Sequence, residues 1–177
     1  DGRDISSEDK IDEQHIRPIG SDHELYTTVV NVNVADVGSS AMEVIDAIIL
    51  NRAKYKGSGS PLFFTTETFI ASLMVLKDST GRRIYKNIEE VASEIRVSQI
   101  VPVEVMEEYP DIVGIMVNPV DYKIGADKGG QVSLFDDFDI DYNKQKYLIE
   151  TRVSGALVKL KSAIVVKAVA GSLTLVS

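Results

Sequence analysis

The residues best placed for chemistry in this sequence are four aspartates that lie close together, Asp136, Asp137, Asp139 and Asp141. Because three of them alternate, Asp137, Asp139 and Asp141 would share one face of a β-strand. Oxygen ligands on one face could hold a hard cation, but the glycine and the terminal glutamate of a calcium-binding loop are missing. The pattern therefore favours a solvated strand face that resists edge-to-edge pairing, and a small metal-binding domain is the less favoured alternative.

The other residue types that carry out catalysis form no catalytic set in this sequence. His15 and His23 both lie in the polar lead-in, without a Glu-x-x-His pattern, and are predicted to be surface or interface residues. The glycines of GADKGG, residues 125–130, lack the Gly-Lys-Ser/Thr of a phosphate loop and predict a flexible turn. The chain has no Gly-x-Ser-x-Gly elbow and no cysteine. We therefore predict a protein that is not an enzyme, with no catalytic, metal-binding or cofactor-binding residues and no cofactor.

Composition and charge exclude several classes of protein. The chain has 177 residues, of which 44% are hydrophobic, which is enough for one well-packed domain with or without an appendage. The net charge of −8 and the pI near 4.8 argue against a general nucleic-acid binder and against docking on an anionic membrane. No apolar run approaches the ~20 residues that a membrane-spanning helix needs. An acidic surface suits a protein that lies near DNA without binding it.

Capping signals predict three helices in the first half of the chain. Ser40 with Glu43 has the spacing of a capping box, and the apolar residues that follow recur at helical intervals. Thr66 predicts the N-terminus of a second helix, and Asn87 with Glu90 predicts that of a short third one.

Alternation and apolar runs predict strands before and after these helices. The first strand is predicted at residues 25–34 and a short buried one at LFFT, residues 62–65. From residue 97 onward the runs VSQIVPVEVM, IVGIMV and QVSLF predict further strands, with turns at Tyr109–Asp111 and Asn118–Pro119. The order of these segments predicts an α+β fold with long strands at its C-terminal end.

The stretch ETRVSGALVKLKSAIVVKAV, residues 150–169, combines β-branched residues with recurring cations. The cations are Arg152, Lys159, Lys161 and Lys167. We predict a long strand with a cationic face, which would match the aspartate-rich strand electrostatically within one subunit or between neighbours. Asn143–Lys144 predicts the turn of a hairpin that precedes it, and Gly155 predicts a bulge or a close backbone approach.

Four stretches, taken in order, resemble the C-terminal part of a tailed-phage major capsid protein of the Hong Kong 97 type. The first, DGRDISSEDKIDEQHIRPI, is similar to the segment that follows the long spine helix in a subgroup of that family. LFFTTETFIASLMVLKDSTGRRIY is similar to a passage of strand, polar turn, helix and Leu-Lys-Asp-x-x-Gly-Arg. RVSQIVPVEVM and YLIETRVSGALVKLKSAIVVK resemble the next strand and the closing strands. The order of the four carries the resemblance, which spans most of residues 1–169.

The resemblance implies a division of the chain into regions. Residues 1–24 would be the lead-in after the spine helix, 25–128 the axial domain of short strands and helices, 129–169 the long antiparallel strands of the peripheral domain, and 170–177 a flexible tail. The family's N-terminal arm, extended hairpin loop and spine helix have no counterpart here. We therefore expect the chain to be an isolated axial-domain piece, a proteolytic product or the ordered part of a longer protein.

The resemblance also implies a structural function. It predicts a coat subunit of a bacteriophage or prophage that forms the pentamers and hexamers of an icosahedral shell in the virion, assembles in the bacterial cytoplasm and encloses DNA without sequence-specific binding. Its partners would be copies of itself, with scaffold, portal or decoration proteins as further candidates, and no membrane. A nanocompartment shell of the encapsulin kind, which encloses cargo protein, is the alternative.

Subunit contacts are predicted in polar turns and in the cationic stretch. Turns between buried elements are exposed and free to meet neighbours, and charges on the closing strands would face another subunit. The candidate contact residues are Gly57, Ser58, Gly59, Glu107, Glu108, Asp111, Arg152, Lys159 and Lys161.

Overall fold

The computed structural model describes residues 17–33, 37–126, 133–139, 144–150 and 153–168. Contacts divide these residues into two compact units. The larger unit contains residues 18–122 and the described residues from 157 onward, and the smaller contains Arg17 and the described residues between 123 and 156. The predicted tail, the residues before Arg17, Asp141 and Arg152 lie outside the described residues.

The secondary structure consists of short strands, three helices and several 3-10 turns. The strands are β1 (Thr27–Val32), β2 (Leu62–Thr65), β3 (Gln99–Pro102), β4 (Ile112–Val117), β5 (Tyr122–Ala126), β6 (Ser133–Asp139), β7 (Lys144–Glu150), β8 (Val153–Leu157) and β9 (Ala163–Ala168). The helices are α1 (Val37–Asn51), α2 (Glu67–Val75) and α3 (Ile88–Glu94), and 3-10 turns lie at Ile19–Ser21, Arg52–Lys54, Glu104–Glu108 and Pro119–Asp121. The predicted α+β class is confirmed. Within the described part of the chain, no helix is long and apolar enough to cross a membrane.

A mixed five-stranded sheet with the strand order β1-β9-β4-β2-β3 forms the base of the larger unit. β1 and β9 are parallel, β2 and β3 are parallel, and the other neighbouring strands are antiparallel. The residues in register at one edge of all five strands are Thr27, Ala163, Val117, Leu62 and Gln99. We call this edge the first end of the sheet and the opposite edge the second end. Loops that are far apart in the sequence therefore meet at each end.

The main core packs helices against one face of this sheet. Val44, Ile45 and Ile48 recur on the buried side of α1, which confirms the predicted helical spacing, and all three are at most 1% exposed. Phe63 of β2 and Phe69 of α2 meet edge to face, with ring centroids 6.4 Å apart. Full burial of such side chains stabilises the fold by about 1.5–3 kcal/mol each. A smaller cluster around Val117, Leu157 and Ala163 includes Phe64 and Ile115 at its margin.

Two of the three predicted helix caps are confirmed. The Thr66 hydroxyl accepts a hydrogen bond from the Phe69 amide at 3.1 Å, and the Asn87 side chain accepts one from the Glu90 amide at 3.0 Å. The Ser40 prediction is wrong, because α1 begins at Val37 and Ser40 lies inside its first turn. Ser40 and Glu43 both lie within α1, so the capping pattern alone did not fix where this helix begins.

The single long strand predicted at residues 150–169 is also wrong. The chain leaves β8 at Leu157 and enters β9 at Ala163, and a turn separates the two strands. Lys161 within this turn has a φ of 51°, a left-handed conformation that no strand residue adopts. Lys159 and Lys161 therefore do not line one face of a strand. Of the four cations, Lys167 is the one that the described structure places in a strand.

The smaller unit contains the predicted hairpin, which is confirmed as an antiparallel pair of β6 with β7. Lys144 is the first residue of β7 and therefore, contrary to the prediction, not part of the turn, and Asn143 lies outside the described residues. In the pairing register, Asp137 lies opposite Lys146 and Asp139 lies opposite Lys144. The cations in register with the aspartate-rich strand are thus those of the next strand in sequence, rather than those of the stretch at 150–169. β5 and β8 form a separate two-stranded sheet.

Candidate functional site

Loops from five parts of the chain are joined by hydrogen bonds at the first end of the sheet. They comprise residues 22–26, 52–61, 95–98, 118–121 and 158–162. Backbone bonds connect Lys56 to Lys161 at 2.8 Å, Lys161 to Leu25 at 2.9 Å and Ser98 to Pro61 at 2.8 Å. The first end is therefore a platform built by tertiary contacts, since no local segment could form it.

The carboxylate of Asp121 organises this platform. The side chain is 4% exposed and accepts hydrogen bonds from the amide and from the hydroxyl of Ser58, both at 2.6 Å. Asn118 donates to the Ser58 carbonyl at 2.7 Å, and the Asp121 carbonyl accepts from the Val158 amide at 3.0 Å. Charge-assisted bonds of this length are about twice as strong as neutral ones. The loop at residues 57–61 is thus held against the turns before and after it.

Of the predicted contact residues, Ser58, Lys159 and Lys161 are brought together here. The Lys159 ammonium donates to the Ser58 hydroxyl at 3.3 Å and is exposed. The Lys161 ammonium instead donates to the Glu24 carbonyl and is half-buried. Lys161 therefore has a role inside the fold, whereas Lys159 presents its charge to solvent.

Gly57 and Gly59 are required at their positions for different reasons. A Cβ atom on Gly57 would lie 2.2 Å from the hydroxyl of Tyr55, so only glycine fits against that ring. Gly59 has a φ of 55°, a conformation that glycine adopts without strain. Burial and, next, the charge of Asp121 raise the pKa of Tyr55, while Arg52, whose guanidinium lies 4.7 Å from the Tyr55 ring centroid, lowers it.

Three more of the predicted contact residues lie at the second end of the sheet. Glu107 and Glu108 belong to the 3-10 turn after β3, and Asp111 precedes β4. All three are exposed. Glu107 accepts a hydrogen bond from the Thr68 amide at 3.2 Å, in the first turn of α2, where a negative charge is favourable. The predicted contacts therefore divide between opposite ends of one sheet, a relationship that the sequence did not reveal.

The polar turn at Lys77–Arg83 is ordered by a single carboxylate. Asp78 accepts hydrogen bonds from the Thr80 hydroxyl at 2.6 Å, the Thr80 amide at 2.8 Å and the Arg82 amide at 2.9 Å. These bonds, that of the Thr80 hydroxyl first, hold the pKa of Asp78 below its ordinary value. The loop is exposed throughout, so its shape is set by its own bonds.

No catalytic arrangement emerges from the described side chains. Within the described part of the chain, no three His, Asp or Glu side chains converge as a metal site would require. The structure does not describe the side chains of the aspartates in β6. The hypothesis that these aspartates bind a metal ion is therefore not tested. His23 accepts a hydrogen bond from the Leu25 amide at 3.1 Å and is exposed. The two ends of the sheet instead present exposed turns, which are suited to contacts with other proteins.

Asp121, Asn118 and Tyr55 were not singled out from the sequence, although they shape the first end. Asn118–Pro119 was predicted as a turn. The Asn118 side chain accepts a hydrogen bond from the Val120 amide, and this bond closes the turn. Nothing in the local pattern indicated that Asp121 would be buried against a residue 63 positions earlier. The one available signal was an aspartate next to two apolar residues at the end of a buried strand.

No protein-family model matches the sequence, and no curated protein matches it either. Among solved structures, the capsid of the empty GTA particle has a TM-score of 0.55 at 15% identity, over 89% of this chain and 60% of that one. The capsid of the native GTA particle has a TM-score of 0.54 at 15% identity, over 93% and 59%. A virus-like particle from Pyrococcus furiosus has a TM-score of 0.54 at 14% identity, over 87% and 61%.

These similarities concern the fold, because identities of 14–15% are too low to carry more. The chain spans about 60% of the length of the capsid chains that it matches. The matched regions cover 87–93% of this chain. The resemblance in sequence and the likeness in structure point in the same direction, and the fold of this chain is similar to that of the chains that form these particles.

Proposed function

We propose that this protein is a structural shell subunit, the major capsid protein of a tailed bacteriophage or prophage, with the Hong Kong 97 type of fold. The observation that carries the proposal is the fold shared with two capsids and a virus-like particle over 87–93% of the chain. A net charge of −8 is compatible with a shell that encloses DNA without adhering to it. A capsid is a structural assembly, which supports a role without catalysis.

Such a subunit would form pentamers and hexamers through copies of one contact. A heterologous contact closes into a ring when its rotation allows, and many modest contacts together hold a shell. The two ends of the larger unit's sheet, each with exposed turns, are the surfaces we propose for these contacts. The division into an axial domain at 25–128 and a peripheral domain at 129–169 stays a prediction, because those names refer to positions within a shell.

Partners and location follow from the same proposal. The subunit would reside in the virion capsid after assembly in the host cytoplasm, and scaffold, portal or decoration proteins would be further partners. The nanocompartment alternative is not favoured, since two of the solved structures with a similar fold are capsids of GTA particles.

Electron microscopy of the full-length gene product tests the function directly. We expect closed particles in a clarified lysate after expression of the complete gene, and nucleic acid or scaffold protein inside them. A full-length protein that stays monomeric at high concentration would contradict the proposal. Particles that contain a cargo enzyme instead would favour the nanocompartment.

A further inference from the structure

The two ends of the central sheet in the larger unit carry charges of opposite sign. We infer that the first end of one copy docks on the second end of the next copy, so that adjacent subunits contact head to tail. This inference rests on the proposed function and deepens it, because it states which surfaces of a shell subunit meet.

The first end is cationic. Its loops contain six cations and three anions, a balance of +3, and one of the anions, Asp121, is buried in its bonds to Ser58. Three of the cations donate to neutral oxygens: Arg52 to the Arg96 carbonyl, Lys159 to the Ser58 hydroxyl and Lys161 to the Glu24 carbonyl. These bonds leave the positive charge uncompensated. Lys54 and Lys56 add two exposed ammonium groups.

The second end is acidic. The segment VEVMEEYPD, residues 103–111, has no lysine or arginine and contains four carboxylates, Glu104, Glu107, Glu108 and Asp111. All four are exposed. The strand register places one cation nearby, Lys167 opposite Ile112, so the net charge of this end is −3. The bond that Glu107 accepts comes from a neutral amide. The negative charge of this end is therefore not neutralised by that bond and is available to a partner.

Exposed apolar side chains accompany the charges at both ends, as they do in the centres of protein interfaces. The first end exposes Leu25, Val120, Val158 and Leu160, each by more than half. The second end exposes Val105 by 62% and Tyr109 by 54%. Burial of these side chains by another copy would add a hydrophobic contribution to the electrostatic match.

The two ends of one sheet cannot satisfy this match with each other. The strands between the ends are up to six residues long, which corresponds to roughly 20 Å. Because charges more than about 8 Å apart are largely screened at physiological salt, the two ends of one sheet barely attract each other. A second copy can bring them into contact. A contact between two different surfaces of the same chain is heterologous, which is the kind that closes into rings.

Charge reversal on the full-length protein tests the inference. Lys54→Glu with Lys56→Glu reverses the first end, and Glu104→Lys with Glu108→Lys reverses the second, without touching the bonds of Ser58, Lys161 or Glu107. We expect each reversed pair to weaken subunit association roughly tenfold or more, measured by sedimentation velocity at low salt. The variant that carries all four substitutions restores complementarity with the signs exchanged, and we expect it to regain most of the association.

Matched controls change the net charge equally at other exposed positions. Lys77→Glu with Lys86→Glu controls for the first pair, and Glu43→Lys with Glu89→Lys controls for the second; all four residues are exposed. We expect these controls to associate as the wild type does. Circular dichroism and thermal melting establish that each variant is folded, and the regain in the fourfold variant cannot come from misfolding.

The outcomes separate this inference from the proposed function. If the wild type forms shells and the reversed pairs assemble equally well, or the fourfold variant is no better than either pair, the inference is overturned while the function stands. If the wild type forms no particles under any salt condition, both are overturned. Preferential binding of the first end to a DNA duplex, with association unaffected by the reversals, would also overturn the inference.

Discussion

Ser58 donates two hydrogen bonds to the carboxylate of Asp121, one from its amide and one from its hydroxyl, each 2.6 Å long. The two residues are 63 positions apart in the sequence, and Asp121 is 4% exposed. This pair connects the loop before β2 to the turn after β4. The exposed ammonium of Lys159 also donates to the Ser58 hydroxyl.

Removal of the Asp121 carboxylate should destabilise the protein. Asp121→Ala deletes both acceptors and leaves the Ser58 amide buried without a partner, so we expect a loss of about 3 kcal/mol in the free energy of unfolding. Urea denaturation measures it. Asp111→Ala, at an exposed position, is the matched control and should change stability by less than about 0.5 kcal/mol. Equal losses in the two variants would contradict the role of the pair.

Gly57→Ala tests the close approach of Tyr55. The new Cβ would lie 2.2 Å from the Tyr55 hydroxyl, and we expect a loss of about 1–3 kcal/mol. The cause is steric, so Tyr55→Leu in the same chain should relieve part of the loss, seen as a coupling energy in a double-mutant cycle. Gly81→Ala has open space around it but a φ of 82°, so it reports backbone strain alone and should show no coupling to Tyr55.

The two lysines of the turn before β9 should behave differently. Lys161→Asn keeps a residue that tolerates the left-handed backbone but removes the ammonium bonded to the Glu24 carbonyl, and we expect a loss of about 1 kcal/mol. Lys159→Asn should alter stability by less than about 0.5 kcal/mol, since its ammonium is exposed. Thermal melting compares them. The opposite order would show that the Glu24 contact does not stabilise the turn.

Tyr85 should make stability depend on alkaline pH. The side chain is 6% exposed and donates to Glu94 at 2.7 Å; burial and this bond raise its pKa above the ordinary tyrosine value. A raised folded pKa means that the contribution is complete below about pH 10 and declines above it, as the unfolded chain ionises first. We expect wild-type stability to fall more steeply between about pH 10 and 12 than that of Tyr85→Phe, measured by urea denaturation.

The control for this experiment is Tyr109→Phe, at a side chain that is 54% exposed. It removes a hydroxyl of the same kind without a buried acceptor nearby. If Tyr85→Phe leaves the alkaline pH dependence of the free energy of unfolding unchanged, Tyr85 does not cause it. The same conclusion follows if Tyr109→Phe reduces that dependence equally.

The Asp78 turn should respond to loss of the Thr80 hydroxyl. That hydroxyl is the first cause of the lowered pKa of Asp78, so Thr80→Ala should raise this pKa toward its ordinary value. Because the folded pKa is lowered, the bonds support the loop at neutral pH and weaken as the pH falls through the folded pKa. Carboxyl NMR titration measures the change. Ser79→Ala, in the same exposed loop, is the control, and an equal effect there would contradict the assignment.

Much of the secondary structure could be predicted from the sequence because its signals are local. The apolar spacing of Val44, Ile45 and Ile48 predicted the buried side of α1, and the caps at Thr66 and Asn87 predicted where two helices begin. β4 begins and ends where the run IVGIMV does. These features depend on residues at most four positions apart.

The candidate surfaces could be predicted only in part. Ser58, Glu107 and Glu108 were predicted to be contact residues in polar turns and Lys159 to be one on a strand. Their division between opposite ends of a sheet was not predicted. That division depends on the order β1-β9-β4-β2-β3, which joins the first strand to the last. Strand order follows from nonlocal packing and loop closure, for which a single sequence contains no periodic signal.

The residues 158–162 show the difference most clearly. The sequence by itself determined that the surrounding residues 150–169 are rich in β-branched residues and cations, and it predicted a continuous strand. Only the tertiary structure decided that the chain turns there, because β9 must enter the sheet between β1 and β4, and Lys161 adopts a φ of 51° while its backbone bonds to Leu25 and Lys56. Those distant bonds determine which lysine supports the fold and which one is exposed to solvent.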